Sequence, residues 1–325
     1  MRTRSPKQAL EAAVDAARWA PSVHNTQPWT FAVSGEEIAL RADTARRLTA
    51  EDASGRELAI SCGAALFTIR TVLRCEGYEP VVRILPDPDR PALLATIALG
   101  GEIEVDEHTR MLCGEIERRR THRAGFAAMP VPDRLMDALA RSAAEEGARL
   151  TPVRDPEAIR VIAGLTQAAQ GVQRREQRFD LEVIAWARPP GSSRPDGVPA
   201  TAYPREPART EPEFPQRHYA WRHGWGAEGG HTETETGVVA VLTTRADGRA
   251  DWLAAGQALQ HVLLHASAYG VSAAFHTQAL EMDPLRDFLR DELLSGEHPQ
   301  MIMRLGVTFD DVGEMPRRPL SDVLT

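Results

Sequence analysis

The sequence predicts an α+β fold in which helices are layered on sheets, and three features lead to it. Gly63-Ala64-Ala65-Leu66 reaches Gly77 after 14 residues, and Gly256-Gln257-Ala258-Leu259 reaches Gly270 after the same interval. Leu66, Ile69 and Leu73 in the first window, and Leu259, Val262, Leu263 and Ala266 in the second, recur at helical spacing before a terminating glycine. The windows stand 193 residues apart, which suggests duplicated halves. Apolar runs at Val81 to Leu85, Leu94 to Leu99, Val238 to Leu242 and Met301 to Leu305 read as strands, and no strict βαβ alternation orders them into a doubly wound parallel sheet.

Two further helices suit that scheme. Ser5-Pro6-Lys7-Gln8 has the form of a capping box with proline at the first helical position, and Leu10, Val14 and Ala17 continue one apolar face to about Trp19. Val131 to Glu146 has the same character in the second half. Pro21 ends the first helix by disfavouring helical geometry at Ala20, and Trp29 to Val33 has the aromatic and β-branched content of a strand. The run between them, APSVHNTQPW from Ala20 to Trp29, is therefore a helix-to-strand loop. Its hydroxyl, imidazole and amide groups either satisfy the loop's own backbone or meet a ligand rich in polar atoms.

With 325 residues, 42% of them hydrophobic, the chain can hold one large domain or two ordinary ones. A formal net charge of -8 argues against a general affinity for nucleic acid or anionic membranes and favours small-molecule partners. Arginine supplies 37 of the 38 basic residues, a composition bias with little functional content. Cys62, Cys75 and Cys113 share no CxxC spacing, so neither a disulfide framework nor a zinc site is indicated and a reducing cytoplasm fits. No window reaches the roughly 18 uninterrupted apolar residues of a membrane span.

Arg188 to Gln216 holds eight of the 23 prolines, which rules out a regular helix or a central strand there. Tyr219, Trp221, His223 and Trp225 follow, and these rings favour a docked lid over a disordered insertion. Gly224 to Gly229 fits GxGxxG, but its flanks are not those of a strand and a helix, so a Rossmann site is not expected. His218, His223 and His231 lack an HExxH spacing or a cysteine pair, and no metal site is expected. A GxSxG elbow and a Walker loop are both missing. The run from Arg118 to Arg123, RRRTHR, follows an acidic helix. Its arginines either pair along that helix, Glu115 with Arg119 and Glu117 with Arg120, or clamp an anion such as a phosphate monoester through bidentate contacts. Arg317-Arg318-Pro319-Leu320 repeats that chemistry on a smaller scale.

Taken together, APSVHNTQPW, RRTHRAGF, the helix from Gly256 and the ending RRPLSDVL resemble the nitroreductase family of flavoproteins, and within it the Acg-type branch, from about Leu10 to Leu324. The resemblance implies a nitroreductase-like α+β fold in which two fused halves form an intramolecular pseudodimer around one FMN. Residues 1–106 are then the half that keeps the PSxxN loop. Residues 107–325 are the half that keeps RRTHR, with a lid over about 188–235. Arg119, Arg120, Thr121 and Arg123 match family positions that contact the FMN phosphate, ribityl chain and pyrimidine edge, with Arg123 placed to tune the flavin potential. Pro21, Ser22, Val23 and Asn25 match the opposing loop, and Arg317 and Arg318 approximate C-terminal phosphate contacts. Thr277 and Gln278 fall near the segment expected beside the isoalloxazine. His276 departs from the pattern, as a proton donor to substrate or as a cap of its loop.

The implied activity is that of an FMN-dependent oxidoreductase. It takes hydride from NAD(P)H and passes electrons to an organic acceptor such as a nitro compound or quinone, or it dehydrogenates a small biosynthetic substrate. A lid over the flavin supports a function of another class, storage or sequestration of FMN without turnover. An arginine-rich nucleic-acid binder, the third reading, requires strongly salt-dependent binding.

Overall fold

Ser5 and Pro6 start the first helix as their chemistry directs: the Gln8 side chain accepts from the Ser5 backbone N–H at 3.1 Å, and α1 runs over Pro6–Ala17. A computed structural model describes residues 4–206, 210–217, 219, 223–228, 234–309, 313 and 315–325. After α1 come β1 (Trp29–Ser34), β2 (Glu37–Ala42), α2 (Arg56–Cys75), β3 (Tyr78–Ile84), β4 (Leu93–Glu102) and α3 (Glu107–Glu115). The second half follows with α4 (Asp133–Glu145), β5 (Arg149–Pro152), α5 (Pro156–Gln173), α6 (Gln177–Trp186), β6 (Ala187–Arg188) and β7 (Val198–Pro199). It closes with β8 (Val238–Thr244), α7 (Arg249–Ala268), β9 (Ser272–Phe275) and β10 (His298–Gly306).

Two antiparallel sheets result, and their topologies correspond. One has the order β1-β2-β4-β3 and the other β5-β8-β10-β9, each with one long helix, α2 or α7, between its second and third strands in chain order. The duplication read from the two glycine-ended windows is thus a duplication of sheet plan, and the fold is α+β with two fused halves. The second copy is opened between β5 and β8 by an insertion holding α5, α6 and the proline-rich segment. Strands β2, β5 and β9 and helices α5 and α6 are additions to the elements the sequence singled out. Ser272-Ala273-Ala274-Phe275 has little β preference of its own and becomes β9 by pairing with β10, Phe275 opposite Met303.

The halves meet along α2 and α7. Gly63 and Gly256 face each other there: a Cβ built on Gly256 lies 2.8 Å from the Gly63 Cα and also strikes the Ile60 carbonyl, and one on Gly63 lies 3.0 Å from the Gly256 Cα and strikes the Leu253 carbonyl. The contact is reciprocal, as a two-fold interface requires, because Ile60 and Leu253 are themselves 193 residues apart. Each helix also contributes to the other half's core. Leu253 and Leu264 pack with Leu66, Ile69, Phe31 and Ile97, while Ile60 packs with Leu139, Leu259, Val262 and Met303. By length and apolar content α2 alone among the described residues matches a membrane span, and here 83% of that stretch is buried in this double core.

Two linking segments cover sheet edges. Thr121 pairs in parallel with Ala273 of edge strand β9, and the chain end returns to edge strand β1, where Leu324 pairs with Phe31 and Val323 is buried. The proline-rich insertion docks through Ala187, Val198, Ala200, Ala202, Tyr203 and Tyr219, which cluster with Met315. Of the motifs noted there, His218, Trp221, Gly229 and His231 lie outside the described residues, and His223 stacks on Trp225 with ring centroids 4.4 Å apart.

The glycine contact predicts opposite outcomes for two glycine-to-alanine changes. Gly256→Ala should destabilise the protein by about 1 to 3 kcal/mol through overpacking. Gly164→Ala in α5, where a Cβ meets nothing within 4 Å, should stabilise it by roughly 0.5 to 1 kcal/mol. Urea denaturation midpoints at unchanged m-value give both signs.

Candidate functional site

The cleft between the halves opens to solvent. Pro21, Ser22, Val23 and His24 form one wall and Thr121, His122 and Arg123 another. Ala274 to Thr277 extend it from the end of β9, Glu57, Ile60 and Ser61 of α2 and Leu259 of α7 supply the floor, and Gln216, Arg217 and Tyr219 come from the insertion. The structure therefore brings together Pro21, Ser22, Val23, Thr121, Arg123, His276 and Thr277 of the residues singled out from sequence.

Asn25, Arg119, Arg120, Gln278, Arg317 and Arg318 are not on that wall. Three close-spaced residues with positive φ, His24 at 47°, Asn25 at 55° and Gln27 at 50°, coil the loop so that its polar groups point several ways. Asn25 donates at 3.0 Å to the carbonyls of Gly197 and Pro316, and so ties the loop to the insertion and the C-terminal tail. Gln27 does the same, donating to Pro195 O at 2.9 Å and accepting from the Arg318 N–H at 2.8 Å. Arg318 donates to Gln27 O and Trp29 O and lies 3.5 Å from Asp43, which makes it the anchor of the tail. Gln278 lines a smaller cavity with Gln170, Gln173 and Phe179 on the far side of Arg217.

Beside the cleft, Arg119, Arg120, Arg123 and Arg317 converge. None of the four has a carboxylate partner among the described residues. Arg119 is 4% exposed and donates only to Trp19 O, at 3.2 Å, leaving Nε and Nη1 without partners; Nε of Arg120 and of Arg317 is equally bare. Arg120 and Arg317 lie over the Trp19 ring, 5.5 and 5.3 Å from its centroid. Burial, with the charges of Arg120 and Arg123 added, pushes the Arg119 guanidinium down to about 9. Burial and the neighbouring Arg119, Arg120, Arg123 and Arg18 hold Arg317 well below its ordinary value. Buried cations with bare donors and no counter-charge are costly on their own, and their donor set suits an oxyanion such as phosphate. Of the helical pairings considered for this segment, neither Arg119 nor Arg120 makes one; Arg118, exposed, meets Glu115 at 3.4 Å.

Two histidines at the cleft differ in how their nitrogens are satisfied. His276 is fully buried, donates from Nδ1 to Pro215 O at 3.2 Å and accepts at Nε2 from Arg304 Nε at 2.8 Å. Burial and the Arg304 charge hold it well below the usual imidazole value, so it is neutral with both nitrogens occupied. This geometry makes it a brace of its loop and leaves no N–H for a substrate. Arg304 itself sits between Phe126 and Phe214 and also donates to Thr236 O at 3.0 Å. His122 donates from Nε2 to Gly125 O at 2.9 Å, and its Nδ1 is bare; burial brings it down to about 4.

A second network joins loop, insertion and β9 segment. His24 Nδ1 meets the Tyr219 hydroxyl at 2.7 Å and Nε2 meets Glu51; Arg217 bridges Glu51, at 2.6 Å, and Glu281, and reaches Thr277 Oγ1 at 3.2 Å. Burial opposes charge on His24, but Glu51 and Tyr219 more than offset it and raise the imidazole to about 9. On the floor, burial and the nearby Glu281 raise Glu57 to about 8, so it is a neutral acid at pH 7. Sequence reasoning passed over His24, Glu51, Glu57, Arg217 and Tyr219 as site residues. His24 stood inside the quoted loop as its one imidazole, and that was the available signal.

Fold and cleft together define a two-half α+β protein with a cluster of arginines, several donors of which are bare, beside an interfacial cleft. The nitroreductase family model matches residues 2–62. The putative NAD(P)H nitroreductase Rv3131 of Mycobacterium tuberculosis is 33% identical over 312 residues, covering 94% of this chain and 88% of its own length. The putative NAD(P)H nitroreductase acg of the same organism is 28% identical over 324 residues, covering 97% and 94%. Among solved structures, a nitroreductase with bound FMN from Desulfitobacterium hafniense aligns with 66% of this chain and 97% of its own at a TM-score of 0.39 and 16% identity. The chain belongs to the nitroreductase family.

The His24 network sets a pH dependence. A folded-state value near 9 against an ordinary 6.5 stabilises the protein fully below pH 6.5, and that stabilisation is lost as pH rises through 9. The wild type should therefore lose roughly 1 to 3 kcal/mol more stability than His24→Gln between pH 6.5 and 9.5. Parallel urea titrations at the two pH values measure the difference; equal losses would reject the charged imidazole.

Proposed function

We propose that the chain binds one FMN between its halves and acts as an NAD(P)H-dependent oxidoreductase of nitroreductase type, reducing a small organic acceptor. The observation that carries this reading is the set of bare arginine donors beside an interfacial cleft. Arg119, Arg120, Arg123 and Arg317 would hold the phosphate, and Arg317 rather than Arg318 takes the tail's share because it lies over Trp19 beside Arg120 with no carboxylate partner among the described residues, whereas Arg318 stands by Asp43. Pro21, Ser22, Val23, Thr121 and Thr277 would flank the ring system. Asn25 and Gln278 act behind them, on the loop, tail and insertion. When bound, FMN supplies the hydride and electron chemistry. The chain's own part is to bind it, to exclude water under the insertion and to keep His276 neutral on Arg304. On the same reading residues 1–106 and 107–325 are the two halves, with the lid at about 188–235, and one chain is the functional pseudodimer.

A second reading, FMN sequestration, is favoured by one observation. Arg217 and Tyr219 of the insertion reach the cleft wall and are bonded there to Glu51 and His24, which would restrict access of nicotinamide to the flavin.

Anaerobic titration of the FMN-loaded protein with NADPH and NADH, followed by visible absorbance, separates the two. Bleaching supports turnover, and an unchanged flavin spectrum supports sequestration. Arg119→Met should weaken FMN binding by about 10- to 100-fold through loss of a charged contact. The same change should stabilise the flavin-free protein by relieving repulsion, while Arg118→Gln changes neither. Fluorescence titration with FMN and thermal melts of the flavin-free chains check both parts.

A further inference from the structure

Arg304 stands within β10, between Val239 of β8 and Ala274 of β9, in an otherwise apolar stretch from Met301 to Leu305. It is 0% exposed and among the largest side chains that the fold buries completely. Every acceptor it meets is neutral: His276 Nε2 at 2.8 Å, the Thr236 carbonyl at 3.0 Å and the Ala124 carbonyl at 3.4 Å. Other buried arginines are paired. Arg56 lies 3.1 Å from Glu57, Arg188 lies 2.9 Å from Asp196, and Arg217 lies 2.6 Å from Glu51. Arg304 has no carboxylate partner among the described residues, and burial lowers it only to about 10, so it is charged at pH 7. A buried cation without a counter-charge is costly, and a negative charge brought into its field offsets that cost.

The cleft is where such a charge can sit. His276 belongs to the cleft wall together with Ala274 and Thr277, so one imidazole separates the Arg304 guanidinium from the site. Because Nε2 accepts from Arg304, the His276 proton is on Nδ1 and is given to the Pro215 carbonyl at 3.2 Å. The ring stays neutral and cancels none of the charge behind it, and the buried surroundings screen that charge far less than water would.

We infer that Arg304 is a redox-tuning residue whose uncompensated charge, acting across the neutral His276 ring, favours the anionic reduced state of the cofactor held in the cleft. This rests on the FMN reading given above. A hydride from the nicotinamide carries two electrons and one proton to the flavin; the nicotinamide leaves as a cation and the flavin ring system gains one negative charge. The oxidised ring carries no such charge, so a fixed cation stabilises the reduced state more than the oxidised one and raises the midpoint potential. Arg304 is not itself part of the cleft wall and acts through His276, as a positioning residue. In this it differs from the arginines near Trp19, whose phosphate contacts would serve both redox states alike.

Two substitutions separate charge from hydrogen bonding. Arg304→Gln keeps a donor for His276 Nε2 and removes the charge, whereas Arg304→Lys keeps the charge. The full-length proteins are loaded with FMN, midpoint potentials are read by anaerobic dye-coupled titration, and binding of oxidised FMN is followed by fluorescence. Arg304→Gln should hold reduced FMN about tenfold less tightly relative to oxidised FMN, a fall in potential of about 30 mV for a two-electron couple. Its affinity for oxidised FMN should stay near that of the wild type, and Arg304→Lys should keep the wild-type potential. The wild type supplies a reading that needs no variant: from mildly acid to neutral pH its potential should fall with the slope of one proton per two electrons, as an anionic reduced ring requires. A two-proton slope, a wild-type potential in FMN-loaded Arg304→Gln, or an equal fall in Arg304→Lys would each overturn the inference. Failure of the wild type to take up FMN would overturn the flavin reading and this inference with it, and is seen before any potential is measured.

Discussion

The close crossing of α2 and α7 at Gly63 and Gly256 is the constraint on which the rest of this structure depends. Without side chains at that point the two helix backbones approach until each lends residues to the other's core. The same helices supply the cleft floor, Glu57, Ile60 and Ser61 from one and Leu259 from the other. Packing and site are therefore one feature. A shift of either helix moves the floor relative to the walls carried by the Pro21 loop and the Thr121 segment, each of which is fixed to a different half.

Charge is handled in two opposite ways around this floor. The Glu51, Arg217 and Glu281 network is closed: each buried charge has an opposite partner, so its desolvation is offset within the protein. The arginines near Trp19 are open: Arg119 is buried, Arg120, Arg123 and Arg317 are half-buried around it, and none has a carboxylate partner among the described residues. The first arrangement rigidifies the contact between the insertion and the core. The second leaves like charges close together with donors unfilled, the arrangement on which the proposed phosphate contacts rest.

The proline-rich insertion joins these two regions. Its Gly197 carbonyl accepts from Asn25, its Tyr219 hydroxyl meets His24, and its Arg217 enters the buried network. Most of the polar capacity in APSVHNTQPW is thus spent on neighbours in the protein rather than on the cleft. That outcome lies between the two alternatives the loop's composition posed, because a loop bonded to an insertion and a tail serves neither its own backbone alone nor a ligand alone.

Local chemistry was enough to read several elements directly. Ser5, Pro6 and Gln8 define a helix start, the glycines at 77 and 270 end two core helices, and the prolines from 189 onward exclude a regular helix or a central strand. The basic run at 118–123 posed two alternatives, helical ion pairs or an anion clamp, and arginine's fixed charge and forked donors suited both. What local chemistry does not carry is pairing between distant segments. β9 exists only because β10 lies beside it, Arg119 differs from its exposed neighbour Arg118 only by which side of the chain turns inward, and the same holds for Arg317 over Trp19 and Arg318 on the Gln27 and Trp29 carbonyls. Glu51, Glu57, Arg217 and Tyr219 are ordinary charged or aromatic residues until burial removes water from them. The sequence by itself determined α1, α2, α4 and α7, the duplication and the two arginine-rich segments. The tertiary structure alone decided which of those groups are paired and which are left bare, because hydrogen-bond partners and desolvation are properties of the assembled core.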